Sequence, residues 1–561
     1  MDAKEILAKL TLEEKASLCS GANFWYLKGI PRVGLPSIMV TDGPHGLRKQ
    51  AGSADHLGIS ESVPATCFPT AATTACSFDE SLLEEVGEAL GEECQTEQVA
   101  VILGPGVNIK RSPLCGRNFE YFSEDPLLGG RLAGALIRGV QKRGAGTSLK
   151  HYMGNNQEKG RMSASSVIDP RAYREIYLAS FEEAVKTGKP WTLMCSYNRV
   201  NGTYASEHRE ILTTILRDEW GFRGLVMTDW GAVVDRVAGV RAGLDLEMPG
   251  SGGVNDAKIV SAVKDGSLAQ GDLDRTALCV IELILKAEAE KKPGYTYDAA
   301  AHHALARRAQ AESAVLLKND DNLLPLESGK SLAVIGAFAK TPRYQGAGSS
   351  KINPSKMESL MEALEAAGIH ADYAPGYSLA PGAGPDSALI QEAVEAAKGK
   401  DLALVVAGLP DEYESEGFDR VSMDMPPAHN RLIEEVAKVN PRVAVVLLLG
   451  SPVITPWAGQ VKAILAAYLG GQAGGGGIAD IITGRVNPSG HLAETWPAAL
   501  EDNPSYNYFP GTVKTVEYRE SIFVGYRYYN RALAGPPPPP GGGGGGGGVT
   551  MLCFGGLAGG A

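Results

Sequence analysis

Polar and charged side chains follow short apolar runs in the N-terminal half of the chain, at the points where the runs end. They are Thr41-Asp42-Gly43 after SIMV, Lys150-His151 after TSL, Ser196-Tyr197-Asn198 after LMC, and Thr228-Asp229-Trp230 after LVM. These segments lack the spacing of a phosphate loop or a metal site. Carboxylates and amides bind vicinal hydroxyls, and an aromatic face stacks on the apolar face of a sugar ring. The set therefore favours binding of a neutral, polyhydroxylated ligand.

These side chains converge if the apolar runs are parallel strands, because catalytic residues of α/β barrels lie at the carboxyl ends of the strands. Over residues 1–290 predicted strands alternate with predicted helices, including helices at 170–187 and 208–220 and a strand at 244–248. This alternation predicts a parallel sheet, open or closed into a barrel.

A second alternating block follows residues 291–313, which we interpret as a linker. Its runs at 402–407, 443–449 and 462–468 are apolar at nearly every position, as expected of strands covered on both faces. The predicted organisation is a barrel region at 1–290, the linker, an α/β domain at 314–500 and a return segment at 501–530.

Composition argues against several classes of protein. The 65 acidic residues outnumber the 53 basic ones, which disfavours binding to nucleic acid. No apolar stretch reaches the roughly 20 residues that span a bilayer, and the N-terminus lacks the pattern of a signal peptide, so we expect a cytoplasmic protein. The eight cysteines form no CxxC pair and the nine histidines show no metal spacing, so we expect free thiols, no metal and no cofactor.

The segment ILRDEWGFRGLVMTDWGA at residues 215–232 resembles the active-site signature of glycoside hydrolase family 3. That signature has two aliphatic residues, a basic and a charged residue, glycine, three apolar residues, Ser or Thr, and the nucleophilic Asp. Further segments are similar to the same family in the same order: TDGPHGLR (41–48), GPGVNI (104–109), GRNFEYFSEDP (116–126), KHYMGNNQE (150–158), MCSYNRVNG (194–202), ESEGFDR (414–420) and FVGYRYY (523–529). The resemblance implies an α/β fold: an N-terminal (β/α)8-like barrel, complete or incomplete, followed by an α/β sandwich domain.

The resemblance also implies the catalytic pair. Asp229 is the expected nucleophile and Glu416 the expected acid/base, although spacing alone does not separate Glu416 from Glu414. Retaining hydrolysis needs two carboxyl groups about 5–5.5 Å apart. The nucleophile must stay ionised, so we expect it among donors such as Arg117, Lys150 and His151. The acid/base must hold a proton near neutral pH, so we expect burial or a nearby negative charge to raise its pKa.

The same resemblance implies how the sugar is held. Asp42 is expected to accept the hydroxyls at carbons four and six, and Arg117 to bind a hydroxyl, unless it only pairs with Glu120 or Glu124. Family members carry a non-proline cis peptide at the Lys-His pair, so we expect one between Lys150 and His151. Four further residues are expected at the pocket: Tyr197 beside the nucleophile, Trp230 on the leaving-group side, and Arg161 and Met194 as walls, with a core role for the methionine an equal alternative.

The function predicted is a retaining β-glucosidase that removes terminal non-reducing β-D-glucosyl residues through a covalent glycosyl-enzyme. Asp42 favours a hexose, because a pentopyranose lacks the carbon-six hydroxyl. The N-acetylglucosaminidases of the family carry a proline-glycine histidine motif after the Lys-His pair, where this chain has YMGNN at 152–156. The alternatives are a β-xylosidase or other exo-β-glycosidase of the family, and an inactive sugar-binding protein on the same scaffold. A nucleotide site is disfavoured, because LAVIG leads into AFAKTP and not into GxGxxG.

The C-terminal residues 531–561 depart from the family pattern. Three-domain members continue into a fibronectin-like β-sandwich, whereas here RALAGPPPPPGGGGGGGG leads to a short apolar stub. We expect the fibronectin-like domain to be missing and this tail to be disordered. The expected partner is a small β-glucoside or oligosaccharide, and the sequence leaves homo-oligomerisation open.

Overall fold

Fifteen β-strands and sixteen α-helices occupy residues 2–50 and 61–533, the part of the chain that the computed structural model describes. The strands are β1 (Val40–Asp42), β2 (Val101–Leu103), β3 (Gly146–Tyr152), β4 (Ser165–Val167), β5 (Thr192–Cys195), β6 (Arg199–Val200), β7 (Thr203–Tyr204), β8 (Leu225–Thr228), β9 (Val315–Asn319), β10 (Leu332–Ile335), β11 (Ala371–Ala374), β12 (Leu402–Gly408), β13 (Val443–Leu448), β14 (Ala463–Ala466) and β15 (Thr515–Glu517).

The helices are α1 (Ala3–Lys9), α2 (Leu12–Leu18), α3 (Ala71–Thr74), α4 (Glu80–Thr96), α5 (Pro126–Lys142), α6 (Pro170–Ala172), α7 (Ala179–Gly188), α8 (Arg236–Ala242), α9 (Val254–Lys264), α10 (Gln270–Glu290), α11 (Ala299–Ser313), α12 (Leu360–Ala366), α13 (Ser387–Ala397), α14 (Pro427–Val439), α15 (Gly474–Ile482) and α16 (Tyr526–Leu533). Two segments, Tyr173–Tyr177 and Glu210–Glu219, are π-helical. The helix predicted at 170–187 is therefore interrupted, and the one predicted at 208–220 is wound more widely than an α-helix.

The N-terminal sheet is a parallel half-barrel with strand order β1-β2-β3-β5-β8. Five strands replace the eight of a complete barrel. The strand predicted at 244–248 is absent: Leu246 only bridges Met227, and Glu247 only bridges Ser20. The Asp245 carboxylate accepts a hydrogen bond from the Val226 amide at 2.8 Å, so a side chain supplies part of the pairing that a strand backbone would make.

The second sheet has the order β11-β10-β12-β13-β14-β9, in which β9 runs antiparallel at one edge and the other strands are parallel. The strands β12, β13 and β14 are buried along their whole length, as their apolar runs predict. The sequence did not predict β9, whose burial is only partial. A third, four-stranded sheet, β15-β4-β6-β7, joins the return segment to the barrel region.

Residues 291–313, predicted as a linker, contain the 15-residue helix α11. Asp298 caps it by accepting hydrogen bonds from the Ala300 and Ala301 amides. Its buried face carries His302, Ala306 and Gln310 at helical spacing. Alanine and polar side chains on that face give a weak apolar signal, which is why the helix was missed.

Buried ion pairs and one continuous hydrophobic core join the half-barrel to the second domain. Lys110 Nζ lies 2.9 Å from Glu494 Oε1, and both side chains are buried. Arg111 pairs with Glu520 of the return segment in the same way. These contacts fix the two domains around the cleft between them.

Two expectations fall at or beyond the limits of the structure. Residues 531–533 belong to α16, and the rest of the predicted disordered tail, with any fibronectin-like domain, lies outside the described residues. In the described ranges no helix is both long and apolar enough to cross a membrane.

Candidate active site

Loops at the carboxyl ends of the half-barrel strands bring the predicted residues together. Asp42 ends β1, Lys150 and His151 lie in β3, and Asp229 follows β8. The peptide between Lys150 and His151 is cis, as expected, and that between Tyr152 and Met153 is cis as well. All four of the polar side chains are buried.

Asp229 is buried directly after β8. Its Oδ1 accepts a hydrogen bond from the Trp230 amide at 2.7 Å, and its Oδ2 lies 3.8 Å from His151 Nε2. Burial and the cations Arg117, Lys150 and Arg161 hold the pKa of His151 well below its ordinary value, so the imidazole is neutral. Burial also raises the pKa of Asp229, against the opposing pull of Arg117 and Arg161.

A chain of alternating charges crosses the cleft beside Asp229. Its links are Asp42 to Lys150 at 3.9 Å, Lys150 to Glu120 at 3.3 Å, Glu120 to Arg117 at 2.7 Å, Arg117 to Glu416 at 3.4 Å, Glu416 to Arg161 at 2.8 Å, and Arg161 to Glu158 at 2.8 Å. Arg117 therefore pairs with Glu120, as one of its two alternatives has it, and also contacts Glu416; its binding of a sugar hydroxyl stays a prediction. Such a chain offers acceptors and donors to the hydroxyls of a sugar.

Asp42 stands at one end of this chain. Its Oδ2 accepts a hydrogen bond from Arg48 Nη1 at 3.1 Å, and its Oδ1 faces Lys150. Burial raises the pKa of Asp42 to about 6, while Lys150 and Arg48 pull it down. The carboxyl group is thus ionised only from mildly acidic pH upward.

The two glutamates that spacing could not separate have different surroundings. Both oxygens of Glu414 accept from the Gly450 amide, and Oε1 also accepts from Ser451 Oγ at 2.7 Å. Glu414 therefore anchors its loop to the end of β13. Glu416 instead faces the cleft, where Oε1 accepts from Arg161 Nη1 at 2.8 Å and Oε2 accepts from the Ser349 amide at 2.8 Å.

The expected rise in the pKa of Glu416 is wrong. Burial pushes the pKa of Glu416 up, but Arg117, Arg161 and the Ser349 amide together lower it below the ordinary value for a glutamate. Neighbouring Glu158 shows the opposite behaviour, because burial raises its pKa to about 7.

Aromatic rings form one wall of the cleft. Trp230 Nε1 donates to the Phe24 carbonyl oxygen at 3.0 Å, and the Trp25 and Trp230 rings are 5.4 Å apart. Tyr197 donates its hydroxyl to the Trp230 carbonyl oxygen at 3.1 Å, and the Arg161 guanidinium lies 4.9 Å from the Tyr197 ring centre. Tyr197 lies beside Asp229, and burial together with the charge of Asp229 raises the pKa of the Tyr197 phenol, while the leaving-group role of Trp230 stays a prediction.

Met194 is buried in β5 as part of the hydrophobic core, which supports the core alternative.

Sequence reasoning missed three polar residues of the site and named Glu120 only as a possible partner of Arg117. Arg48, Glu158 and Asp419 all stand inside the motif segments, but nothing in their spacing indicated a role. Asp419 accepts hydrogen bonds from the backbone amides of Gly116, Glu158 and Lys159 at 2.9–3.1 Å, and so fixes the Glu416 loop to the half-barrel. In the described ranges no group of three or more His, Cys, Asp or Glu side chains is placed to hold a metal ion.

Two family models match the chain. The Glycosyl hydrolase family 3 N terminal domain matches residues 31–283, and the Glycosyl hydrolase family 3 C-terminal domain matches residues 314–526. The chain is 56% identical over 533 residues to thermostable beta-glucosidase B of Acetivibrio thermocellus, which covers 94% of this chain and 70% of that protein. It is 52% identical over 535 residues to an exo-alpha-(1->6)-L-arabinopyranosidase of Bifidobacterium longum, which covers 93% of this chain and 70% of that one.

Solved structures give the same result. The GH3 beta-glucosidase of Bifidobacterium adolescentis superimposes with a TM-score of 0.90 at 50% identity, covering 94% of this chain and 76% of that one. The beta-glucosidase 3B of Thermotoga neapolitana in complex with alpha-D-glucose superimposes with a TM-score of 0.87 at 35% identity, covering 95% and 81%. The chain belongs to glycosyl hydrolase family 3 and is a glycoside hydrolase.

Proposed function

We propose that this glycoside hydrolase is a retaining β-glucosidase that releases terminal non-reducing β-D-glucosyl residues. The observation that carries the proposal is that Asp229 of the half-barrel and Glu416 of the second domain lie close enough for the charge of Glu416 to add to burial in raising the pKa of Asp229, with Arg117 and Arg161 acting on both. Two relatives that each cover 94% of this chain are named beta-glucosidases, which supports a β-glucoside as the substrate.

Asp229 acts as the nucleophile. Its carboxylate attacks the anomeric carbon and forms a covalent glycosyl-enzyme, while Glu416 protonates the departing oxygen. In the second step Glu416 takes a proton from water, and that water displaces the sugar from Asp229. Because His151 next to Asp229 is neutral, it does not form an ion pair with the Asp229 carboxylate. The negative charge of Asp229 is therefore available for the attack.

Asp42, Lys150 and Arg117 hold the sugar. The carboxylate of Asp42 accepts hydroxyl protons at the far side of the ring, and the two cations donate to hydroxyl oxygens. The Trp230 side of the cleft receives the leaving group. The residues thus divide between a charged end for the sugar and an aromatic wall for the group that leaves.

A second candidate is an exo-glycosidase for α-L-arabinopyranosyl residues, which the name of the 52%-identical Bifidobacterium relative favours. An arabinopyranosyl ring lacks the carbon-six hydroxyl. The discriminating experiment compares kcat/KM on nitrophenyl β-D-glucoside, β-D-xyloside and α-L-arabinopyranoside. The proposal predicts that the glucoside is hydrolysed fastest, and a higher kcat/KM on the arabinopyranoside would replace the first candidate with the second.

The variant D229G tests the catalytic assignment in the same assay. Removal of the nucleophile leaves the sugar-binding residues in place but removes the covalent step, so turnover of every substrate should fall by at least about 10³-fold. Unchanged turnover by D229G would exclude Asp229 as the nucleophile.

A further inference from the structure

One guanidinium nitrogen serves two buried carboxylates in the cleft. Arg161 Nη1 lies 2.8 Å from Glu416 Oε1 and 2.8 Å from Glu158 Oε2. The two carboxyl groups therefore share a single donor nitrogen. Glu158 has no part in the catalytic steps described above, although its side chain is as deeply buried as that of Glu416.

The backbone fixes this pair from both domains. Glu158 Oε2 accepts a hydrogen bond from the amide of Gly417, the residue after Glu416, at 2.9 Å. In return, Asp419 of the same loop accepts a hydrogen bond from the Glu158 amide at 2.9 Å. Neither carboxyl group can move away from Arg161 without breaking a bond between the domains.

The charges around the pair are compatible with one proton between the two glutamates. The titratable and charged groups that face them are Arg117, Arg161, Lys150, Asp42, Glu120, Asp229 and Asp419, with the thiol of Cys115 and the phenols of Tyr121 and Tyr197. Two like charges this close disfavour ionisation of both. Burial raises the pKa of Glu158 to about 7, so near neutral pH this carboxyl group exchanges between its protonated and its ionised form.

We propose that Glu158 is a positioning residue for the acid/base: its carboxylate holds Arg161 and the Gly417 amide beside Glu416, and its negative charge favours the protonated form that Glu416 must adopt. This inference rests on the proposed function. Before the first step Glu158 loses its proton to solvent and Glu416 takes one from solvent, so that Glu158 is the carboxylate held by Arg161 and the Gly417 amide. Glu416 then gives its proton to the glycosidic oxygen as the bond to the anomeric carbon breaks. In the second step Glu416 takes a proton from the attacking water and is again protonated for the next turnover.

The variant E158Q tests the proposal, because the amide keeps an acceptor for the Gly417 amide but carries no negative charge beside Glu416. Phenyl β-glucoside needs an acid for its leaving group, whereas 2,4-dinitrophenyl β-glucoside does not. We expect kcat/KM at pH 7 to fall at least about 10²-fold on the phenyl glucoside and less than about 5-fold on the dinitrophenyl glucoside. In the plot of kcat/KM on the phenyl glucoside against pH, the fall at basic pH should move to lower pH in E158Q. In E158D that fall should stay near its position in the wild type.

The variant D419N is the matched control, since Asp419 ties the same loops but does not contact Arg161. A purely geometric role for Glu158 would make E158Q behave like D419N, slowing both substrates alike with the fall at basic pH unmoved, and would overturn the inference. The variant E416Q separates this failure from failure of the proposed function. If the wild type hydrolyses both glucosides and E416Q loses far more activity on the phenyl than on the dinitrophenyl glucoside, the proposed function stands. If E158Q does not show this difference between the two substrates, only the inference fails. If the wild type hydrolyses neither, both fail.

Discussion

Replacement of Asp42 by alanine should change which sugar the enzyme prefers. In the proposed complex the Asp42 carboxylate accepts protons from two hydroxyls, at carbons four and six of glucose. A hydrogen bond to a charged group contributes about 1.5–3 kcal/mol, and each 1.36 kcal/mol is a factor of ten in rate. Loss of both bonds should lower kcat/KM on a β-glucoside by about 10²–10⁴-fold.

A β-xyloside provides an internal control for D42A, because it has the carbon-four hydroxyl but no carbon-six hydroxyl. Only one bond is lost with this substrate, so the expected loss is about 10–10²-fold. The ratio of kcat/KM values, glucoside over xyloside, should therefore fall by about 10–10²-fold. The assay is run at pH 7, where Asp42, with a pKa of about 6, is ionised in the wild type.

A second variant, D245A, controls for loss of a buried charge. Asp245 is also buried and pairs with Arg217 at 2.6 Å and Arg275 at 2.8 Å, but it lies outside the chain of charges in the cleft. It should lower the melting temperature with no change in the substrate ratio. If D42A lowers the rates on both sugars equally, Asp42 does not bind the carbon-six hydroxyl and the reasoning is refuted.

Three further predictions concern pH, the domain contact and the choice of glutamate. The pKa of Asp229 is raised, and its ionised form is the nucleophile, so kcat/KM on 2,4-dinitrophenyl β-glucoside should fall at acidic pH even in D42A, where Asp42 no longer titrates; a flat D42A profile down to pH 4 would contradict this. Because K110M leaves Glu494 buried without its partner, it should lower the free energy of unfolding by about 3–5 kcal/mol in urea titrations, and the double variant K110M/E494L should regain most of that loss. Azide should restore turnover of the dinitrophenyl glucoside by E416A but not by E414A, since Glu414 contacts only its own domain's loops in the described structure; restoration of E414A alone would reverse the assignment.

Much of the site could be predicted from the sequence because its chemistry is local to short segments. Asp229 and the Lys150-His151 pair directly follow or end apolar runs, so their place at the strand ends follows from strand direction alone. The apolar run of β12 likewise predicts a strand covered on both faces, and burial along its whole length confirms this.

The errors arose where distant segments determine the outcome. The pKa of Glu416 depends on Arg117, Arg161 and the Ser349 amide, which lie far away in the sequence, so the sequence around Glu416 could not indicate that it is lowered. The segment predicted as a strand at 244–248 makes only isolated bridges, and the Asp245 side chain takes part of its pairing with β8. Neither effect leaves a periodic pattern in the sequence.

Trapping of the glycosyl-enzyme is the most direct test of the central claim. The protein is incubated with 2,4-dinitrophenyl 2-deoxy-2-fluoro-β-D-glucoside, digested with a protease, and sequenced by mass spectrometry. A retaining mechanism with Asp229 as nucleophile predicts one fluoroglucosyl group per chain, attached to the Asp229 carboxylate, and no labelling of D229G. Attachment to another residue, or turnover of the wild type without any covalent adduct, would contradict the account.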